Sequence, residues 1–148
     1  MQITLDHTHQ ENYNVRTFWF KPENLFDYTA GQFIEMYLDI DQPDDRGYKH
    51  WFTLSSSPTD DLISITTKFF GDKASSFKKK LFSLKPGQQL KIVEPMGDFV
   101  LPKDKTIPLV FVAGGIGVTP FHSMVKYISD KHERRQIQVL LAANKPED

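Results

Sequence analysis

The chain has 148 residues, enough for one ordinary domain or for a small domain plus part of another. Its 18 basic and 19 acidic residues nearly cancel, and no block of like charge extends beyond Lys78-Lys79-Lys80, so the electrostatic footprint of a nucleic-acid binder is missing. It contains no cysteine, which excludes disulfides, thiol nucleophiles and any iron–sulfur cluster held by its own thiolates.

The opening MQITLDHTHQENY has neither a basic start nor an apolar run and does not read as a signal peptide. No apolar run approaches the ~20 residues that span a bilayer. The expectation is a soluble cytoplasmic chain, either free or held at the cytoplasmic face of a membrane by a partner.

Up to about residue 100 the chain reads as strands. NVRTFWF (14–20) and GQFIEMYLDI (31–40) are rich in β-branched and aromatic residues, and Ile34, Met36, Leu38 and Ile40 recur with period two. KPEN (21–24) and QPDDRG (42–47) supply turn chemistry. HWFTLS (50–55) and LISITTKFF (62–70) are two further strands joined by SSPTDD. A short helix fits 74–84, because Phe77, Leu81 and Leu84 share one face while the lysines take the other. Pro86-Gly87 ends it, and QLKIVEP (89–95) is another strand. Strands this frequent, with tight turns, predict an antiparallel barrel.

After LPKDKTI (101–107), a linker by composition, the pattern changes. Residues 108–112 form a continuous apolar run, as in a strand covered on both faces. Thr119 suits an N-cap and Pro120 a first helical residue. Phe121, Met124, Val125 and Ile128 follow at helical spacing, and QVLLAA (138–143) is a second buried strand. The fold class expected is mainly β: an antiparallel Greek-key barrel with a capping helix, then an incomplete α/β, Rossmann-like nucleotide-binding unit. The domains expected are 1–104 and 105–148.

Four segments carry chemistry. In GGIGVTP (114–120), glycines permit positive φ and close approach of a phosphate to free N–H groups at a helix start. A tight strand-to-helix turn without a ligand would look the same. In HWFTLSSSP (50–58), alternation puts His50, Phe52 and Leu54 on one face and Trp51, Thr53 and Ser55 on the other. A core strand running into a serine-rich turn is the plain alternative. In GDKASSF (71–77), the hydroxyls of Ser75 and Ser76 sit where a helix begins, to cap it or to meet a second phosphate. In EPMGDFVLP (94–102), Gly97 permits a turn that sets Phe99 against something flat, or simply into a core.

In this order HWFT, GDKASSF, LKPGQQL, EPMGDF and GGIGVTP resemble the ferredoxin–NADP reductase superfamily over essentially the whole chain. The resemblance implies an FAD-binding barrel followed by a nicotinamide-dinucleotide domain, with electrons passing from NAD(P)H through the flavin to a separate acceptor. A flavin-binding relay or assembly subunit that never meets NAD(P)H is the alternative. By the resemblance, Thr53 hydrogen-bonds near the reactive flavin nitrogen and is the catalytic candidate, while Phe52 lies against the ring or ribityl chain. Ser75 and Ser76 hold the FAD pyrophosphate, and Gly97 and Phe99 line the flavin cavity. Gly114, Gly115, Gly117 and Thr119 receive the nicotinamide pyrophosphate. The implied cofactor-binding set also takes in His50, Trp51, Lys68 and Ala74.

Two positions depart from the family pattern. His50 stands where the family has Arg, as it does in the His-Pro-Phe-Thr branch of membrane ferric reductases, and Phe52 stands where many members have Tyr. Imidazole is largely neutral near pH 7 and cannot make the forked contact of a guanidinium. Arg46 and Lys49 lie close enough in sequence to supply the charge. The family's nucleotide domain needs further strands, so the expectation is a chain that stops inside its second domain, with self-association through the incomplete sheet. The acceptor, a small molecule or a redox protein, leaves no mark in the sequence. His7 and His9 share a strand face but have no third ligand, so no metal site is expected. His122, by helical phase, is expected to face solvent.

Overall fold

The computed structural model describes residues 1–24 and 26–143, so 144–148, the end of the expected second domain, lie outside the described residues. In chain order the elements are β1 (Gln2–Gln10), β2 (Val15–Pro22), β3 (Phe33–Tyr37), β4 (Lys49–Thr53), β5 (Ile63–Lys68), α1 (Ser76–Ser83), β6 (Gln89–Ile92), β7 (Leu109–Gly114), α2 (Thr119–Asp130) and β8 (Ile137–Ala142). The first six strands form one antiparallel sheet in the order β4-β3-β6-β1-β2-β5. The sheet curls until its ends meet: the Ser55 amide, just past β4, donates to the Ser64 carbonyl on β5 at 2.8 Å. This is the barrel, with its helix α1 packed through Phe77 and Leu81 into the core.

Alternation explains the core. Phe18 and Phe20 on β2, Ile34 and Met36 on β3, and Phe52 and Leu54 at β4 all point inward and are buried. Strand β1 carries His7 and His9, placed on a strand face from sequence, but its bounds were not legible there. Only Ile3 and Leu5 alternate inward, and the period then breaks at a bulge between Leu5 and His7. Strand β3 ends at Tyr37, three residues earlier than its apolar pattern, although Leu38 remains buried.

Strands β7 and β8 pair in parallel from Leu109↔Ile137 to Gly114↔Ala142, with α2 as the crossover. Phe111, Ala113, Phe121 and Met124 make a second core that also takes in Ala30 of the barrel. Thr119 is not the N-cap of α2. A 3-10 turn over Gly115–Val118 runs directly into the helix, so Val118 holds the cap position in helical geometry and Thr119 is already helical. No helix among the described residues is long and apolar enough to cross a membrane.

Candidate functional site

At the start of α1 the backbone passes through a single 3-10 turn, Gly71–Lys73, and a buried, extended Ala74. Ser75 then caps the helix, its Oγ accepting from the Lys78 amide at 3.1 Å. The same Oγ lies 3.1 Å from His50 Nε2, whose ring packs 4.4 Å from that of Phe77. Burial, and then the Lys78 ammonium, push the His50 imidazolium below its usual range, with Asp44 pulling the other way. His50 is therefore the neutral member of this cluster near pH 7.

Ser76 does not cap; it is engaged by a residue 32 positions earlier. Its amide donates to Asp44 Oδ2 and its hydroxyl to Asp44 Oδ1, each at 3.1 Å. Arg46 forks onto the same Oδ2 through Nη2 at 2.8 Å and Nε at 3.1 Å, and its Nη1 donates to the Lys73 carbonyl at 3.2 Å. Desolvation would raise the Asp44 carboxyl, but the Ser76 amide, the Arg46 guanidinium and the Ser76 hydroxyl outweigh it and hold it down to about 2. Of the two cations near His50 in sequence, Arg46 reaches the helix start, whereas Lys49 pairs with Glu35 at 2.9 Å.

Strand β4 presents its other face differently. Trp51 is 69% exposed, and its indole N–H donates to Glu35 Oε1 at 2.9 Å. Glu35 also accepts from the Tyr37 hydroxyl, and these donors hold its carboxyl below the usual range, the Tyr37 bond first. Thr53 pairs with Phe33 in the β3–β4 register. Gly97 turns at φ +109, and a Cβ there would stand 2.8 Å from the Phe33 ring. Thr53, Trp51 and Gly97 thus gather around Phe33, while Phe52 faces the core with Phe77 at 5.8 Å. Phe99 joins neither group. It is 59% exposed and sits edge-on to Phe121 of α2 at 5.6 Å.

The glycine loop opens on a cleft of about 780 Å³ between the barrel and the β7–α2 unit. Lys68, Gly115, Thr119, Ser55, His122 and Trp19 all line it. Gly115 takes the left-handed φ of +50, and Lys68 Nζ lies 3.6 Å from the point where a Cβ on it would stand. Around Gly117 a Cβ would meet nothing within 4 Å, so the loop backbone there is open to a ligand.

Polar contacts fasten α2 across this cleft to the exit of β4. His122 Nδ1 donates to the Ser55 carbonyl at 2.8 Å, which places a proton on that nitrogen. Ser123 Oγ donates to the Ser56 carbonyl at 2.5 Å, Thr59 Oγ1 to Asp130 at 2.5 Å, and Lys126 pairs with Asp60 at 3.1 Å. His122 is exposed, as helical phase suggests, yet it also bridges the two units. Asp44, Glu35 and Ser55 had no signal in the sequence, since the partners that set their places here, Ser76, Trp51 and His122, lie 16 to 67 residues away. His7, meanwhile, pairs with Asp6 and stacks on Trp19, and no group of three or more potential metal ligands occurs among the described residues.

Comparison with known proteins bears on this arrangement. No family model matches the chain. The reductase subunit of glycine betaine monooxygenase from Chromohalobacter salexigens is 34% identical over 146 residues, 94% of this chain and 38% of that protein. The flavohem-like FAD/NAD-binding domain of nitric oxide dioxygenase from Vibrio cholerae superposes over 99% of this chain and 63% of that one, with a TM-score of 0.83 at 21% identity. Ferredoxin–NADP⁺ reductase from Plasmodium falciparum covers 99% of this chain and 60% of its own, with a TM-score of 0.80 at 17% identity. The chain belongs to the ferredoxin–NADP reductase superfamily. It has the superfamily's barrel and the first β-α-β unit of its nucleotide-binding domain. The chain spans about two fifths of the length of the curated relative.

Proposed function

We propose that the chain holds FAD on its barrel and receives NAD(P)H at its glycine loop, as part of a reductase that passes electrons to a separate acceptor. The observation that carries this reading is a pair of helix starts reached from one strand. His50 on β4 touches Ser75 at the start of α1, and the exit of β4 is tied by His122 to α2, just past the glycine loop. A flavin dinucleotide and a nicotinamide dinucleotide each bring a pyrophosphate, and each helix start presents backbone N–H groups with a cation beside them, those of Ser76 and Lys78 at α1 being held by Asp44 and Ser75 in the free chain.

The residues fit a flavin dinucleotide. At α1 a carboxylate is already held by an amide, a hydroxyl and a guanidinium, the donor set that a phosphate oxygen needs. The alanine and serines of GDKASSF and neutral His50 would hold the pyrophosphate, with Arg46 as its cation. Thr53 would offer its hydroxyl beside the ring, with Trp51, Phe33 and Gly97 shaping the wall on that face and Phe52 backing it from the core. Phe99 would close the side towards α2. In the cleft, the amides of Gly114, Gly115 and Gly117, with Thr119 and the Lys68 ammonium, would take the nicotinamide pyrophosphate. Bound flavin would supply the acceptance of hydride and the onward release of electrons. The chain's own residues hold and orient the two nucleotides and exclude water between them.

The relatives' names supply the acceptor class. One is the reductase subunit of a monooxygenase, and another is a reductase described as carrying electrons from pyridine nucleotides to [2Fe-2S]. A redox protein is thus the acceptor proposed here, carried on another chain or segment because this one has no cysteine to ligate a cluster. The domain division proposed is a flavin barrel over 1–104 and a nucleotide-binding unit from 105 on, in the cytoplasm. The test is spectroscopic. Purified chain mixed with FAD should retain flavin absorbance through gel filtration, and NADH or NADPH should bleach it in a form that includes more of the nucleotide domain. Retained flavin that neither nucleotide bleaches would make the protein a relay, and no retained flavin would refute the reading.

A further inference from the structure

The loop between β3 and β4 sits on the very donors that the proposed pyrophosphate would use. In an isolated helix the first-turn amides have no intrahelical partner. In α1 the Lys78 amide is taken by the Ser75 cap, and the Ser76 amide is taken by Asp44. The contact is reciprocal, because the Asp44 amide also donates to Ser76 Oγ at 3.0 Å. Arg46 is occupied with the same carboxylate and with the Lys73 carbonyl. A carboxylate and a phosphate cannot share these donors, because two anions a few ångströms apart in a partly shielded site repel.

The loop has no regular structure of its own. Between Leu38 and Tyr48, whose backbones are joined at 3.1 Å, there is no strand or helix. The segment ends in a tight turn closed by the Gly47 amide on the Asp44 carbonyl at 2.9 Å, with Gly47 at φ +78 and open space around it. Asp44 and Arg46 therefore ride on one short turn whose side chains grip α1 and Lys73. Arg46 is exposed and long, and its Nη1 reaches the Lys73 carbonyl beside the helix start without the carboxylate.

We infer that this turn is a self-competing latch: Asp44 occupies the phosphate-binding start of α1 until a dinucleotide phosphate displaces it, and Arg46 then transfers from Asp44 to the phosphate. The inference rests on the flavin reading above. It assigns to Arg46 the role of the arginine that His50 replaces, and it makes Asp44 a residue that weakens binding while it stabilises the free chain. A tether with a purely structural purpose would not produce those two opposite signs.

The experiment titrates FAD into the 148-residue chain and its Asp44→Asn, Asp44→Ser, Asp45→Asn and Arg46→Gln variants, and records thermal unfolding of each without flavin. Asp45 is exposed and belongs to none of these contacts, so Asp45→Asn controls for net charge. Both Asp44 variants should unfold at lower temperature yet bind FAD about tenfold more tightly, the change expected when the competing state loses one charge-assisted contact. Arg46→Gln should bind about tenfold more weakly, and Asp45→Asn should stay within about twofold of the parent. Riboflavin, which has no phosphate, should show no gain from either Asp44 variant. FAD affinity that is unchanged or weaker in both Asp44 variants, or an equal gain in Asp45→Asn, overturns the latch and leaves the flavin reading standing. FAD binding to none of the five proteins overturns both.

Discussion

The barrel and the β7–α2–β8 unit bury their apolar residues in different ways. Every barrel strand has a hydrogen-bonded neighbour, and the inward residues of β1, β2 and β3, such as Ile3, Phe18 and Ile34, are fully buried. In the second unit, α2 covers one face of a two-stranded sheet: Phe111 is buried, while on the other face Val112 is 68% exposed, with Val110 and Leu140 also open. One unit has a closed core, and the other borrows closure from its neighbour. Ala30 of the barrel enters its core, and the polar contacts of His122, Ser123 and Lys126 hold it against the loop after β4. The difference matters for function, because the flavin half of the proposed site rests on the closed core and the nicotinamide half on the borrowed one.

The largest effect is expected in the closed core. Phe18→Ala removes a fully buried ring and should cost about 3–5 kcal/mol of barrel stability in urea unfolding. The joint is the next most sensitive place. Gly31 has φ +103, and a Cβ there would stand 2.1 Å from the Phe99 carbonyl oxygen and 2.4 Å from Met124 Cε. Gly31→Ala should cost about 3 kcal/mol from strain and overpacking together. In hydrogen exchange its β7 and β8 amides should lose protection while those of β1 and β2 keep theirs. Equal loss in both units would erase the distinction drawn here.

The bare face should respond less, and in a different observable. An uncovered sheet face and edge invite pairing with another chain. Val112→Lys should therefore lower any self-association seen by sedimentation at high concentration, with folding stability changed by only about 0.5 kcal/mol. A parent chain that stays monomeric at every concentration would show that the face needs no cover.

The smallest effect is on flavin affinity and depends on pH. His50 has its pKa lowered from the usual 6.5 by burial, so it is neutral at pH 8. His50→Arg should tighten FAD binding about three- to tenfold at pH 8, by one charge-assisted contact. The gain should shrink at acid pH as His50 itself takes up a proton. The stability sign runs the other way. A histidine with a lowered folded-state pKa contributes stability above the unfolded value and loses it as pH falls. A gain that is the same at pH 8 and at acid pH would remove His50 from the phosphate site.

The strands were legible where one face alternates over several residues, as in FIEMY and HWFTL, since period two survives single-sequence reading. The bounds of strand β1 were not, because the bulge after Leu5 breaks the period and His7 to Gln10 are exposed. The glycine loop stood out by composition, but Thr-Pro read as a cap and first turn, whereas the 3-10 turn before it makes Thr119 helical. Ser75 was legible as a cap because a cap is local. Asp44 was not, because QPDDRG is an ordinary polar turn until the fold brings it against Ser76. Contacts that cross between elements, such as Phe99 on Phe121, share this opacity.

The central claim is that the start of α1 binds the pyrophosphate of FAD. The most direct measurement compares the affinities of FAD and riboflavin for this chain by equilibrium titration, with adenosine as a competitor, because the two flavins share a ring and ribityl chain and differ in the pyrophosphate and the adenosine it carries. Two charge-assisted contacts predict that FAD binds about a hundredfold more tightly. Equal affinities, or no binding of FAD, would contradict the account.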